Sequence, residues 1–250
     1  MKRVFFSCLV LFLSACNQQK IGQHTSHISL PLITKSSAAK ESTNVPQKQV
    51  IPSIKVSEKT IPTNYLDWLY QSNNQQEVKA YKSFLWQHHL DNIAPDFELF
   101  QTARDWQKCN AQEFEIPPRE VWTNIVPTLQ ILKQLVDHKI LDDFTVTSVY
   151  RNFNLNRCAG GADSSRHVFN AALDFRIGSA HPLADEQVII QQTKNKLCQF
   201  WQEQGMNLQM GLGVYASGQI HIDSAGYRTW GVDHHSTSSP CLINMSTNIK

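Results

Sequence analysis

Apolar residues recur at helical spacing in three parts of the chain and crowd into short β-branched runs between them. Tyr65, Leu66, Trp68 and Leu69, followed by Tyr81, Phe84 and Leu85, fall three or four apart and predict a small helical portion over residues 61–112. Pro117-Pro118 precedes Val121, Trp122, Ile125, Leu129, Leu132, Leu135 and Val136, a pattern that predicts one long amphipathic helix ending near His138. Phe144 to Tyr150 reads as a buried strand, followed by a loop through Asn152, Asn154, Asn156 and Gly160-Gly161. The run up to Asp174 is strand-like, residues 183–204 read as a helix, and two strands, 210–215 and 219–223, flank Ser217-Gly218. Helix, strand, site loop, strand, helix and hairpin in that order predict a compact α+β domain over residues 113–240, with a small antiparallel sheet flanked by helices.

The ends are of different character. Lys2 and Arg3 precede an apolar run from Val4 to Leu13, too short to span a membrane, which predicts a secretory signal over residues 1–15. Leu13-Ser-Ala-Cys16 resembles the lipobox of bacterial lipoproteins, which implies cleavage before Cys16 and lipid on that cysteine. Asn17 stands where an aspartate would imply inner-membrane retention, so the resemblance implies an outer-membrane anchor facing the periplasm. Residues 17–60 hold eleven Ser/Thr and six Lys against two Glu, with too little apolar surface to offset ordering entropy; residues 16–60 are therefore predicted to be a flexible tether. Residues 241–250 read as a tail. A net charge of +2 without a long basic run argues against a nucleic-acid partner, and a monomer is expected.

Of six cysteines, Cys8 falls in the leader and Cys16 would carry lipid. Cys109, Cys158, Cys198 and Cys241 remain, an even number without C-x-x-C spacing, which predicts two disulfides in an oxidising compartment and leaves three pairings open.

Candidate chemistry gathers in four pieces: Ser148-Val-Tyr-Arg151, Gly160 to Ser165, His167 to Asp174, and Gln219 to Asp223. An aspartate inside the apolar run Ala-Leu-Asp174-Phe needs a cation or an arginine beside it, because burying an unpaired charge is costly. Two histidines and a carboxylate form a sensible three-ligand set for catalytic zinc, with one position left for water.

These pieces resemble peptidase family M15, the zinc D-Ala-D-Ala carboxypeptidases and murein endopeptidases. The family pattern is S-x-Y-R, then G-G-A and S-x-H-x-x-G-x-A-x-D, then a final H-x-D-like strand. Here it is matched by Ser148-Val-Tyr-Arg151, Gly160-Gly-Ala162, Ser165-Arg-His167 through Asp174, and His221-Ile-Asp223, over about residues 115–232. The resemblance implies a hedgehog/D-Ala-D-Ala peptidase-like fold, zinc on His167, Asp174 and His221, and substrate binding by Arg151, with Ser165 beside the ligands as a further substrate-binding candidate. It implies hydrolysis of bonds next to D-amino acids in peptidoglycan or, as an alternative, a non-catalytic peptidoglycan-binding lipoprotein. Two positions depart from the pattern. Asn170 replaces a glycine, and Gln219 and Gly218 stand where many members carry a catalytic histidine or glutamate. Candidates for the missing base are Asp223, Asp163, His181 and the His234-His235 pair, which sequence does not rank; Arg151 and Asp223 are taken as the catalytic residues.

Overall fold

A computed structural model describes residues 59–242. The predicted leader, the Cys16 lipidation site, the tether through residue 58 and the tail beyond residue 242 lie outside the described residues. Among the described residues no helix is long and apolar enough to cross a membrane.

Three helices open the described chain: α1 (Thr63–Leu69), α2 (Asn74–Gln87) and α3 (Asp96–Leu99). Their aromatic faces do not form a separate unit. Tyr65, Trp68, Tyr81, Leu85 and Phe100 belong to one continuous core with the sheet residues, and Tyr81 meets Trp122 edge-on at 5.1 Å between ring centroids.

The predicted long helix is two elements, a 3-10 helix over Arg119–Ile125 and then α4 (Val126–Asp137). Pro127 explains the break: it has no N–H for an α-helical bond and sits in the first turn, where that loss is harmless. α4 buries Leu129, Ile131, Leu132 and Leu135, as its spacing predicts. β1 (Phe144–Ser148) follows. The expected loop after it contains α5 (Phe153–Cys158), whose first turn is capped by the Asn152 side chain accepting from the Leu155 N–H at 3.0 Å. The cluster of asparagines reads as loop, but the first of them starts a helix.

After β2 (Ala172–Ile177), α6 (Ala184–Gln204) buries Ile190, Lys194, Leu197, Cys198 and Trp201 along one face. Lys194 is not an error in that face, because its Nζ donates to the Tyr215 and Ala216 carbonyls at 2.6 and 2.9 Å. It thereby fixes the turn between β3 (Gly211–Val214) and β4 (Gln219–Asp223), the predicted hairpin. Last comes β5 (Arg228–Trp230), which the sequence reading did not include.

The five strands lie in the order β1-β2-β4-β3-β5. Every pair is antiparallel except β3–β5, so the expected antiparallel sheet carries one parallel edge. The reason is topological. β5 turns back from β4 and so runs in the direction of β3; both edges of β4 are occupied, which leaves the outer edge of β3. Strand alternation then sorts the side chains: Leu173, Phe175, Leu212, Val214, Ile220 and Ile222 are buried in the core, and Asp174, Gly213, His221 and Trp230 share the opposite face.

Cys109 pairs with Cys158 and Cys198 with Cys241. The second bond staples α6 to the chain end, and Cys241, read from sequence as the first residue of a tail, is fully buried.

Candidate metal centre

One row of residues crosses all five strands: Ser148 on β1 stands opposite Asp174 on β2, Asp174 opposite His221 on β4, His221 opposite Gly213 on β3, and Gly213 opposite Trp230 on β5. His167 approaches this row from the turn before β2. Asn170 shapes that turn by adopting φ +51°, the left-handed conformation that a glycine would supply and that asparagine tolerates. Its side-chain amide also donates to the Val121 carbonyl at 3.1 Å, tying the turn to the 3-10 helix.

The seven-residue spacing of His167 and Asp174 is therefore a turn followed by a strand. His167 Nε2 lies 3.2 Å from Asp174 Oδ1 and 3.3 Å from His221 Nδ1, and His221 Nδ1 lies 2.8 Å from Asp174 Oδ1. The three atoms form a group able to hold a metal ion. A tetrahedral ion with bonds of about 2.0–2.1 Å keeps its ligand atoms roughly 3.3 Å apart, close to these separations.

The outer nitrogens decide what the inner ones offer. His167 Nδ1 lies 2.6 Å from the Val149 carbonyl oxygen, which can only accept, so Nδ1 carries the proton and Nε2 presents a lone pair. His221 Nε2 lies 3.0 Å from Asp223 Oδ2 and donates to it, which turns the Nδ1 lone pair toward Asp174. Two lone pairs and a carboxylate oxygen thus converge on one point. Three acceptors facing one another repel unless a cation or a proton sits between them.

The electrostatics agree. Burial, with the Arg151 charge, pushes the His167 pKa down to about 4, so this ring is neutral near pH 7. Burial also opposes a charge on His221, but its bonds to Asp174 and Asp223 outweigh this and raise its pKa. In the absence of a metal it is His221 that takes the proton. Burial alone would raise the Asp174 carboxyl, yet the imidazoles and the Arg151 guanidinium around it hold it well below the usual carboxylate range.

Arg151, predicted to bind substrate, is ion-paired with Asp174 Oδ2, and its Nε donates to Ser148 Oγ at 2.7 Å. Nε and Nη2 are therefore engaged within the site. Ser165 is half-buried in the preceding turn, and among the described residues its hydroxyl makes no hydrogen bond.

Asp223 is not placed to act as a base. It is 0 % exposed, Arg228 donates to both its oxygens at 3.0 and 2.6 Å, and the Ala225 N–H and His221 complete its partners. Burial favours its neutral form, but these donors outweigh that and keep it ionised. Its task is to orient His221. Gln219 is buried as well and accepts from Thr147 Oγ1 at 3.3 Å. Asp163 is exposed beside Arg157, and His181 and His235 are exposed. His234 is exposed too, but its ring packs edge-on against Tyr215 at 5.6 Å, and Tyr215 bonds to Trp230, whose ring is 5.2 Å from His221.

Across more than half of the chain, from residue 95 to residue 223, the sequence matches the model of the family described as Peptidase M15. The chain belongs to the peptidase M15 family. Its M15 region takes in the whole ligand set and begins upstream of residue 113, within the stretch predicted to be a helical portion. No curated protein and no solved structure matches the chain.

Arg228, Trp230 and the glycines of β3 are residues of the M15 site to which the sequence reading gave no role, although Gly226-Tyr-Arg-Thr-Trp230 follows the last matched piece of the M15 pattern. A Cβ on Gly211 would lie 2.6 Å from Asp223 Oδ1, and one on Gly213 would lie 2.7 Å from Trp230 Nε1. The side chains of β5 therefore cross β3 through the space these glycines leave and touch the residues of β4. The signal was present in Gly211-Leu-Gly213 and in Arg228-Thr-Trp230, two stretches with the same alternation, but nothing in the sequence says that they lie side by side.

Proposed function

We propose that this M15 peptidase is a zinc enzyme that hydrolyses amide bonds next to D-amino acids in peptidoglycan stem peptides or cross-links, tethered through lipid on Cys16 to the outer membrane and facing the periplasm. The observation that carries the reading is the convergence of His167 Nε2, Asp174 Oδ1 and His221 Nδ1, each turned inward by a partner behind it. This donor set suits zinc in number, type and spacing. When bound, zinc supplies Lewis acidity, which polarises a carbonyl and acidifies water.

The residues of the chain do the rest. Val149 and Asp223 hold the two imidazoles in the tautomers that expose lone pairs to the centre. Arg151 balances the Asp174 carboxylate and keeps Nη1 for an oxygen of the substrate, a use suited to its planar fork of donors. The paired cysteines and the leader fit export to an oxidising compartment.

Gln219 supports a second reading, a peptidoglycan-binding protein that keeps the metal but has no turnover, because it stands buried where a base is expected. Metal-loaded protein incubated with purified muropeptides separates the two, with products followed by mass spectrometry. Chelator-sensitive new products support the peptidase and name the bond. Bound muropeptide with no product supports the binding protein.

A further inference from the structure

Tyr215 follows β3 and is fixed through its backbone on both sides. Its N–H donates to the Gln219 carbonyl at 3.0 Å, extending the hairpin ladder, and its own carbonyl accepts from the buried Lys194. Strand alternation puts its side chain on the face of Gly213, next to the row that carries Asp174 and His221. There the Tyr215 hydroxyl oxygen accepts from Trp230 Nε1 at 3.0 Å. Trp230 lies over Gly213 and against His221, so one indole ring separates the phenol from a ligand of the metal centre.

With its oxygen already accepting, the phenol has an O–H left to give, and among the described residues that O–H has no acceptor. Burial keeps the hydroxyl protonated by raising its pKa, and the charges of Asp174 and Arg151 both act on it. The His234 ring stands edge-on beside it as an outer wall. A half-buried donor held at both its backbone and its oxygen, beside a metal centre, has the preorganisation that electrostatic catalysis needs.

We propose that the Tyr215 hydroxyl donates a hydrogen bond to the carbonyl oxygen of the amide being cleaved, and that Trp230 positions it. The proposal rests on the peptidase reading above. Hydrolysis builds negative charge on that oxygen, so the bond strengthens as the reaction proceeds and acts on turnover more than on substrate affinity. The predicted base position before His221 is closed off by Gln219, and Tyr215 supplies a different kind of assistance: it stabilises charge and moves no proton.

The test uses the full-length metal-loaded protein and its Tyr215→Phe and Trp230→Phe variants. Two quantities are read: muropeptide turnover, and calorimetric affinity for a phosphinate dipeptide whose tetrahedral phosphorus mimics the attacked carbonyl. Tyr215→Phe is expected to lower kcat by about 100-fold with KM little changed, and to weaken phosphinate binding by about ten- to a hundred-fold, with unchanged zinc content. Trp230→Phe is expected to move both in the same direction by less, and it carries the test if Tyr215→Phe folds poorly. Parental kcat and phosphinate affinity in Tyr215→Phe, or in Trp230→Phe where that variant carries the test, would overturn the role of Tyr215 alone. A parent protein that neither cleaves muropeptides nor binds the phosphinate would overturn the peptidase reading and this proposal with it.

Discussion

Leu173 and Asp174 are neighbours on β2, yet Leu173 meets the packed core and Asp174 meets two histidines and an arginine. On the core face, Leu173, Phe175, Ile220 and Ile222 are held by fit and by removal from water, and what a position demands is mainly volume and apolarity. On the other face each side chain answers to a named atom of another: Val149 O to His167, Asp223 to His221, Arg228 to Asp223. One face should therefore lose stability in proportion to what is removed, and the other should lose function through the removal of single contacts.

The sharpest way to separate the faces is His221→Ala. Asp174 keeps Arg151 and Asp223 keeps Arg228, so the variant is expected to fold while losing both stoichiometric zinc and all muropeptide cleavage. Metal analysis, circular dichroism and product analysis would check the three parts. Phe175→Ala should do the reverse. It removes a fully buried ring from the core face and should cost about 3–5 kcal/mol in denaturant unfolding, with zinc per folded molecule unchanged. If zinc falls with it, the two faces are not independent.

Asp223→Asn tests the boundary between them. The side chain keeps its size but loses the charge that fixes the His221 tautomer, and its NH2 faces a donor in either orientation, so zinc affinity should drop about 10–100-fold and stability should fall with it. The smallest effect is in titration. In metal-free protein, His221 should take its proton above the ordinary value of 6.5, whereas His167 should stay neutral down to about 4, as two histidine NMR transitions on opposite sides of 6.5 would show. The signs for stability are opposite. The contribution of His221 is complete below 6.5 and is lost as pH rises through its raised pKa. That of His167 is present above 6.5 and is lost as pH falls toward about 4. Asp223→Asn should bring the His221 transition down.

Much of this contrast was legible in the sequence. Helical spacing located α2, α4 and α6, and β-branched runs located β1 and the β3–β4 hairpin, because burial on one face leaves a periodic trace. Asp174 stood out as a charge that an apolar run must explain, and the resemblance to the M15 pattern joined His167 and His221 to it. Three features were not legible. Pro127 divides the predicted helix, although its position at an α-helical start is ordinary for proline. Asp223 was one of several side chains able to replace the missing base, and only packing shows Arg228 already bound to it. The carbonyl of Val149 could not have been singled out at all, since every residue has one.

The bare backbone of β3 has a consequence for how this protein can vary. Neither Gly211 nor Gly213 offers a reactive group, and a search for chemistry-bearing side chains would pass over both. Yet a methyl at either position falls on a side chain that must cross it, Arg228 with Asp223 at one and Trp230 at the other. In a saturation library scored for activity, the emptiest strand should thus be among the least permissive, and its neighbours Leu212 and Val214, pointing into the core, should accept other aliphatics.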